Sequence, residues 1–165
     1  MVRWGKLEEV EGSLFDEAGF FSALAGRGVR YLLVGRQACI AYGLPVLTAD
    51  YDIFVDRDQL AVLTEVAATY GLVAPPDLDR RGLFTLENDE KIDVFCARSY
   101  ASSAGVTLTF EQMWARRREI PLRASGPSVY VPHIRDLIAF KLIKPRKKDL
   151  EDVRALESVA KERGE

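Results

Sequence analysis

The sequence predicts an α+β fold, a mixed β-sheet with helices packed on one side and a helical pair at the C-terminus. Three observations predict it. Short apolar runs bounded by Gly, Asn and Asp fall in the middle of the chain, at 31–34, 50–55, 83–86 and 91–96. Apolar residues at helical spacing occupy the beginning and the end. No internal repeat, low-complexity tract or Pro/Gly-rich linker divides the 165 residues. A single domain over 1–165 is therefore expected, with an α/β core over about 13–131 and C-terminal helices over about 132–163.

In order along the chain, Ser13-Leu14-Phe15-Asp16 resembles a capping box and predicts a helix to about Gly26. Tyr31-Leu32-Leu33-Val34 reads as a buried strand that Gly35 breaks, with a short helix over 37–42. Residues 50–55 read as a second strand. Residues 58–70 read as a helix with Leu60, Leu63, Val66 and Ala67 on one face. Residues 83–86 and 91–96 form a hairpin turning at Asn88-Asp89. A helix over 109–118 and two short strands, 120–123 and 128–131, follow. Two helices over 134–143 and 149–163, broken at Pro145, end the chain.

Composition narrows the class. With 48% apolar and 29% charged residues, disorder is not the expectation. No apolar stretch is long enough to span a bilayer, and residues 1–10 lack the apolar region of a secretory signal. Cys39 and Cys96 lie within apolar runs and read as reduced packing residues of a cytoplasmic protein. One histidine, His133, and no CxxC leave no zinc-type ligand set; His133 reads as a solvent-facing helix-start residue. The net charge of −2 hides an asymmetry: residues 1–110 hold 10 basic and 16 acidic residues, and residues 111–165 hold 13 and 9. That division suits a metal site facing a phosphate-binding surface, and equally two solvated faces.

The chemistry concentrates in Asp50-Tyr51-Asp52-Ile53-Phe54-Val55. Residues i and i+2 of a strand share a face, so Asp50 and Asp52 stand side by side while Tyr51, Ile53 and Val55 face the core. Adjacent carboxylates repel and favour a cation between them, and oxygen-only ligands select Mg2+ or Mn2+. Asp93 is a lone acid in the apolar run Ile92-Asp93-Val94-Phe95, costly there unless paired or ligating. Beside the first pair it would complete a three-carboxylate site. Gly35, ahead of a helix start, would expose backbone N–H groups to an anion.

Val34-Gly35, then Thr48-Ala49-Asp50-Tyr51-Asp52-Ile53, then Ile92-Asp93-Val94 resembles the nucleotidyltransferase superfamily, whose fold is that of DNA polymerase β. The C-terminal Asp136-Leu137-Ile138-Ala139-Phe140-Lys141 with Arg146-Lys147-Lys148-Asp149-Leu150-Glu151-Asp152 is similar to the small bacterial branch that includes the AbiEii-type toxins. The resemblance spans residues 30–156. It implies Asp50, Asp52 and Asp93 as catalytic metal ligands for Mg2+ or Mn2+. Gly35 and Thr48 are then expected at the nucleotide, with Arg36 and Lys141 as candidate cations there. The resemblance implies an NTP as donor, ATP among the candidates, a hydroxyl on RNA, protein or a small molecule as acceptor, and a cognate antitoxin as a partner.

The chain departs from the family at Arg36, where a small residue usually follows the glycine. No basic residue stands at Val46-Leu47, where this branch often has one. Arg36 could bind phosphate in its place, or pair with Asp50 or Asp52 and leave a catalytically impaired binding module for RNA or protein. A glycosyltransferase using Asp-x-Asp with Mn2+ would need a larger sugar-nucleotide domain. Lys141 falls on the apolar stripe of Ile134, Leu137 and Ile138, where it can snorkel or reach a nucleotide or carboxylate. Asp149 reads as an N-cap at least as readily as a catalytic group. Arg116-Arg117-Arg118 reads as a solvated helix end that could touch RNA, and Trp4 and Trp114 as packing residues.

Overall fold

The computed structural model describes residues 15–102 and 104–165. The described chain begins with α1 (Glu17–Gly26), β1 (Tyr31–Val34), α2 (Gly35–Ala41), β2 (Tyr51–Val55) and α3 (Leu60–Thr69). It continues with β3 (Leu83–Glu87), β4 (Lys91–Phe95), β5 (Ser99–Ala101), β6 (Thr107–Thr109) and α4 (Phe110–Ala115). It ends with β7 (Arg118–Pro121), β8 (Ser128–Val131), α5 (Ile134–Lys141) and α6 (Lys147–Arg163). The main sheet has the order β1-β2-β4-β3. β1–β2 and β3–β4 are antiparallel, while β2 and β4 run parallel. A parallel neighbour requires a crossover, which α3 and β3 supply between β2 and β4. The α+β class and the mixed sheet are as the sequence predicts.

Strand alternation gives the sheet two unlike faces. On the first, Tyr31, Leu33, Tyr51, Ile53, Ile92 and Val94 are buried. α1 covers this face, with Phe21 stacked on Tyr31 and Phe20 set edge-on to Tyr70 at the end of α3. A helical layer here is as expected, but the sequence reading confined the helices to one side and the structure does not. The second face is partly covered as well. Phe140 of α5, Phe110 of α4 and Tyr100 of β5 close around Phe54, with ring centroids 5.1–5.4 Å from it. Beyond Phe54 this face opens into a cleft.

Several boundaries differ from the sequence expectation. The Asp16 carboxylate itself caps α1, accepting from Gly19 N–H at 2.9 Å; Trp4, Ser13 and Leu14 lie outside the described residues. α2 begins at Gly35 and a 3-10 turn (Arg57–Gln59) precedes α3. α4 stops at Ala115 with Arg116 as its C-cap, so the arginine run is an exposed helix end as expected, though each arginine is engaged. Arg116 makes two 2.9 Å bonds to Asp136, Arg117 lies 3.9 Å over the Trp114 ring, and Arg118 starts β7. The β5–β6 hairpin was not anticipated, its strands being three residues each. His133 caps α5, its Nδ1 accepting from Arg135 N–H.

Candidate active site

One row of residues crosses the second face of the sheet. Register places Val34 opposite Asp52, Asp52 opposite Asp93, and Asp93 opposite Thr85. Two carboxylates therefore stand on adjacent parallel strands at the open end of the face. The Thr85 hydroxyl donates to Asp93 Oδ1 at 2.8 Å and fixes that side chain. Burial first, then the charges of Asp93 and Asp50, push the Asp52 carboxyl up to about 6.

Gly35 forms the wall beside Asp52. Its φ of +67° is a conformation that L side chains rarely adopt, and a Cβ there would collide with the Asp52 carboxylate. Glycine is needed twice over, for the turn and for the space. α2 starts here, with no side chain capping its first turn.

Asp50 is placed differently from its expectation. β2 begins at Tyr51, so Asp50 lies on the exposed step before it, its N–H donating to Thr48 Oγ1 at 3.1 Å. The pleat that would align it with Asp52 ends one residue too soon. Among the described residues, no three His, Cys, Asp or Glu side chains form a ready ion-binding cluster. The three-carboxylate cage is thus two thirds built, by Asp52 and Asp93, with Asp50 at its edge. The donor set is all oxygen, and its buried like charges call for a cation; it fits Mg2+ or Mn2+.

Arg36 pairs with neither Asp50 nor Asp52, the second of the two positions foreseen for it. It turns to Asp152 of α6, with Nε and Nη2 at 3.2 and 3.3 Å from the two carboxylate oxygens, and reaches the Leu47 carbonyl. Asp152, 3% exposed, also accepts from Lys141 Nζ at 3.2 Å. Lys141 lies 3.5 Å from Asp149, so its apolar stripe delivers it to carboxylates rather than to solvent. Asp149 is not the N-cap expected of it: Arg146 holds that position, and Asp149, the third residue of α6, accepts the Arg146 backbone N–H in a capping-box contact. Burial disfavours the Asp149 carboxylate, but the Arg146 hydrogen bonds outweigh this and hold its carboxyl below the usual range.

These residues line a cleft of about 610 Å³. Its floor is the acidic row; Gly35, Arg36 and Thr48 form one side; Lys141, Lys144, Arg146 and Lys148 of the α5–α6 turn overhang it. The place of the turn's cations in the cleft and the pairing of Asp152 were not read from the sequence. A signal was present: Asp149, Asp152, Val153, Leu156 and Ala160 lie on one stripe of α6, an arrangement that buries two acids and so demands partners. Cys39 is buried next to this network, and burial pushes its thiol up to about 12, so it is a packing group.

The mixed sheet, with acids on adjacent strands beside a glycine-opened helix start, is a fold shared with solved structures of nucleotidyltransferases. Solved structures carry the same fold. The lincosamide antibiotic adenylyltransferase LnuA, bound to lincomycin, superposes with a TM-score of 0.59 at 14% identity, over 82% of this chain and 90% of that one. ANT(2″)-Ia, in complex with adenylyl-2″-tobramycin, gives 0.59 at 18% identity over 87% of each chain. A Thermotoga maritima protein described as a nucleotidyltransferase gives 0.56 at 15% identity, over 98% of this chain and 94% of that one. At these identities the likeness is one of fold. No protein-family model matches the chain, and no curated protein matches it by sequence.

Proposed function

We propose that this chain transfers a nucleoside monophosphate from a nucleoside triphosphate to a hydroxyl acceptor, using a divalent cation. The observation that carries the reading is the Asp52–Asp93 pair, set in register on parallel strands beside Gly35 and beneath a basic turn. Asp52 and Asp93, with Asp50 at their edge, would hold Mg2+ or Mn2+. The chemistry such a cation would supply is neutralisation of phosphate charge and polarisation of the α-phosphorus. The amides at Gly35, the Thr48 hydroxyl and the cations of the α5–α6 turn orient the triphosphate. Lys141 and Arg36 border it while holding Asp152. The acceptor oxygen bonds to the α-phosphorus as the α–β bridging bond breaks and pyrophosphate leaves; the acceptor proton passes to Asp93, whose other oxygen Thr85 already holds. The fold's antibiotic adenylyltransferases are consistent with ATP as donor.

Arg36 bears on the alternative, a binding module that has lost its chemistry. Its guanidinium is engaged by Asp152, which leaves the acidic row open to a cation and favours the enzyme. The finer likeness to AbiEii-type toxins, and with it a cognate antitoxin, rests on the α5–α6 sequence alone. Among the described residues no helix is long and apolar enough to cross a membrane. Buried, unpaired Cys39 and Cys96 fit a reducing compartment, and the reading places the chain in the cytoplasm, where NTPs are supplied.

The test is incubation with each α-labelled NTP, Mg2+, and total RNA, protein or small-molecule extract. Label on an acceptor is expected, absent with EDTA, with Asp52→Asn and with γ-labelled NTP. NTP binding without transfer under Mg2+ or Mn2+ would favour the binding module.

A further inference from the structure

We infer that the acceptor is a small hydroxyl-bearing molecule with an apolar ring or chain, and that it docks on the β3 side of the cleft. The inference rests on the nucleotidyl-transfer reading above and adds the substrate class. Two residues along from the acidic row, the same face carries Leu32, Phe54, Phe95 and Leu83, opposite one another in register. Phe54 is closed over, but the β3 end of this row stays open. Leu83 is 48% exposed and, with Phe95, Tyr100, Phe140 and Ile143, lines the cleft. An exposed leucine continuous with an aromatic wall is an apolar surface without a partner inside the fold.

Transfer geometry says what sits there. Attack at phosphorus is roughly in line with the leaving group. The triphosphate is held toward Gly35 and Arg36, on the β1 side of the acid pair, so pyrophosphate departs that way. The attacking hydroxyl then comes from the opposite side, past Asp93 toward β4 and β3, where the wall is apolar. Charge argues against a polynucleotide. RNA needs a basic track along its backbone, whereas the wall on this side is built of the uncharged residues Leu83, Phe95, Tyr100, Phe140 and Ile143. The cleft's cations hang from the α5–α6 turn instead, over the triphosphate position.

Tyr100 and Phe95 make this wall firm. Their rings meet edge-on at 5.9 Å, and each meets Phe140, at 5.8 and 5.2 Å. A preformed wall of this kind binds a flat or branched apolar group without ordering side chains first.

The test uses the full chain saturated with ATP and Mg2+, titrated with 2-naphthylethanol as probe and followed by NMR of the Leu83 methyl and Tyr100 ring signals. Saturable shifts at both are expected. Leu83→Ser and Ile143→Asn, two substitutions at partly exposed sites, should each weaken the probe at least tenfold without a matching loss of ATP–Mg2+ affinity by calorimetry; melting curves show that both are folded. If a single-stranded RNA 12-mer shifts these signals and the naphthyl probe does not, the inference is overturned. It is also overturned if adenosine alone shifts them, since the wall then holds the nucleobase. Failure of ATP–Mg2+ to bind at the acidic row would overturn the transfer reading itself, an outcome distinct from loss of probe binding alone.

Discussion

Asp52 is the residue at which burial and like charge act in the same direction. Its carboxyl sits at about 6, from an unfolded value near 3.8. Between about pH 4 and pH 6 the folded protein keeps a proton that the unfolded chain releases. Stability from this group is therefore present at low pH and lost as pH rises through that window, on the order of 2–3 kcal/mol in the absence of a cation. In EDTA at pH 7.5, Asp52→Asn should melt above the parent, and the gap should close by pH 4. Mg2+ alone should give the parent a small stabilisation that the variant lacks. Equal melting temperatures at pH 7.5 would mean that the carboxylate is not strained. Gly35 is the second residue with a sharp expectation. Gly35→Ala meets a left-handed backbone, worth about 1–3 kcal/mol, and its methyl displaces the Asp52 carboxylate. A lower denaturant midpoint together with loss of NTP–Mg2+ binding is expected, and a parental midpoint would contradict the turn geometry. Gly35, Asp52 and Asp93 were legible in the sequence because strand period and a lone buried acid are local features. Asp152 was not, because its partner Arg36 lies 116 residues away.

At the scale of elements, small shifts in strand and turn decide which side chains meet. A hairpin turning on Asn88-Asp89 alone would set Thr85 opposite Ile92. The actual loop includes Glu90, with Asn88 N–H donating to the Glu90 carbonyl, and Thr85 faces Asp93 instead. One residue of loop length thus gives Asp93 its hydrogen-bond donor, and residue type does not specify that length. The same holds at Asp50, which lines the cleft but stands one residue before β2 rather than within the row on it. The helical pair was legible, since Pro145 and the apolar stripes mark it, but its ionic clamp was not. That clamp has its own consequence. Asp152→Ala leaves Lys141, 8% exposed, with only Asp149 at 3.5 Å, and it frees Arg36. Breaking a buried pair from one side costs about 3–5 kcal/mol. Arg36→Ser removes the partly exposed partner only, and should cost on the order of 1 kcal/mol. Chemical denaturation would separate the two, and hydrogen exchange should show α6 loosened in Asp152→Ala. Equal effects of both substitutions would mean that Lys141 is not the principal partner.

Taken as a whole molecule, the chain sets an acidic sheet face against a basic helical turn, and the ligand has to satisfy both. The order β1-β2-β4-β3 could not be read from local pattern, because the parallel β2–β4 pair depends on where the crossover docks. The division of charge could, and it now has a place: Asp52 and Asp93 on the floor, Lys144, Arg146 and Lys148 above. A triphosphate alone meets the cations of the turn but brings further negative charge to the floor. A divalent cation alone meets the floor but lacks its phosphate oxygens. Only the two together neutralise both surfaces, so their binding should be strongly coupled. Thermal melts should show little shift with ATP alone or Mg2+ alone relative to the pair. With ATP–Mg2+ at about 100 times its Kd the gain should be about 2.7 kcal/mol, or roughly 5–10 °C for a chain of this size. Raising salt to about 0.5 M should shrink the gain, since the turn's cations are exposed and screened. Lys144→Ala with Lys148→Ala should shrink it too, while leaving the Mg2+ response of Asp52 intact. A shift with ATP that is as large in EDTA as in Mg2+ would place the nucleotide on the basic turn alone and remove the acidic row from its binding.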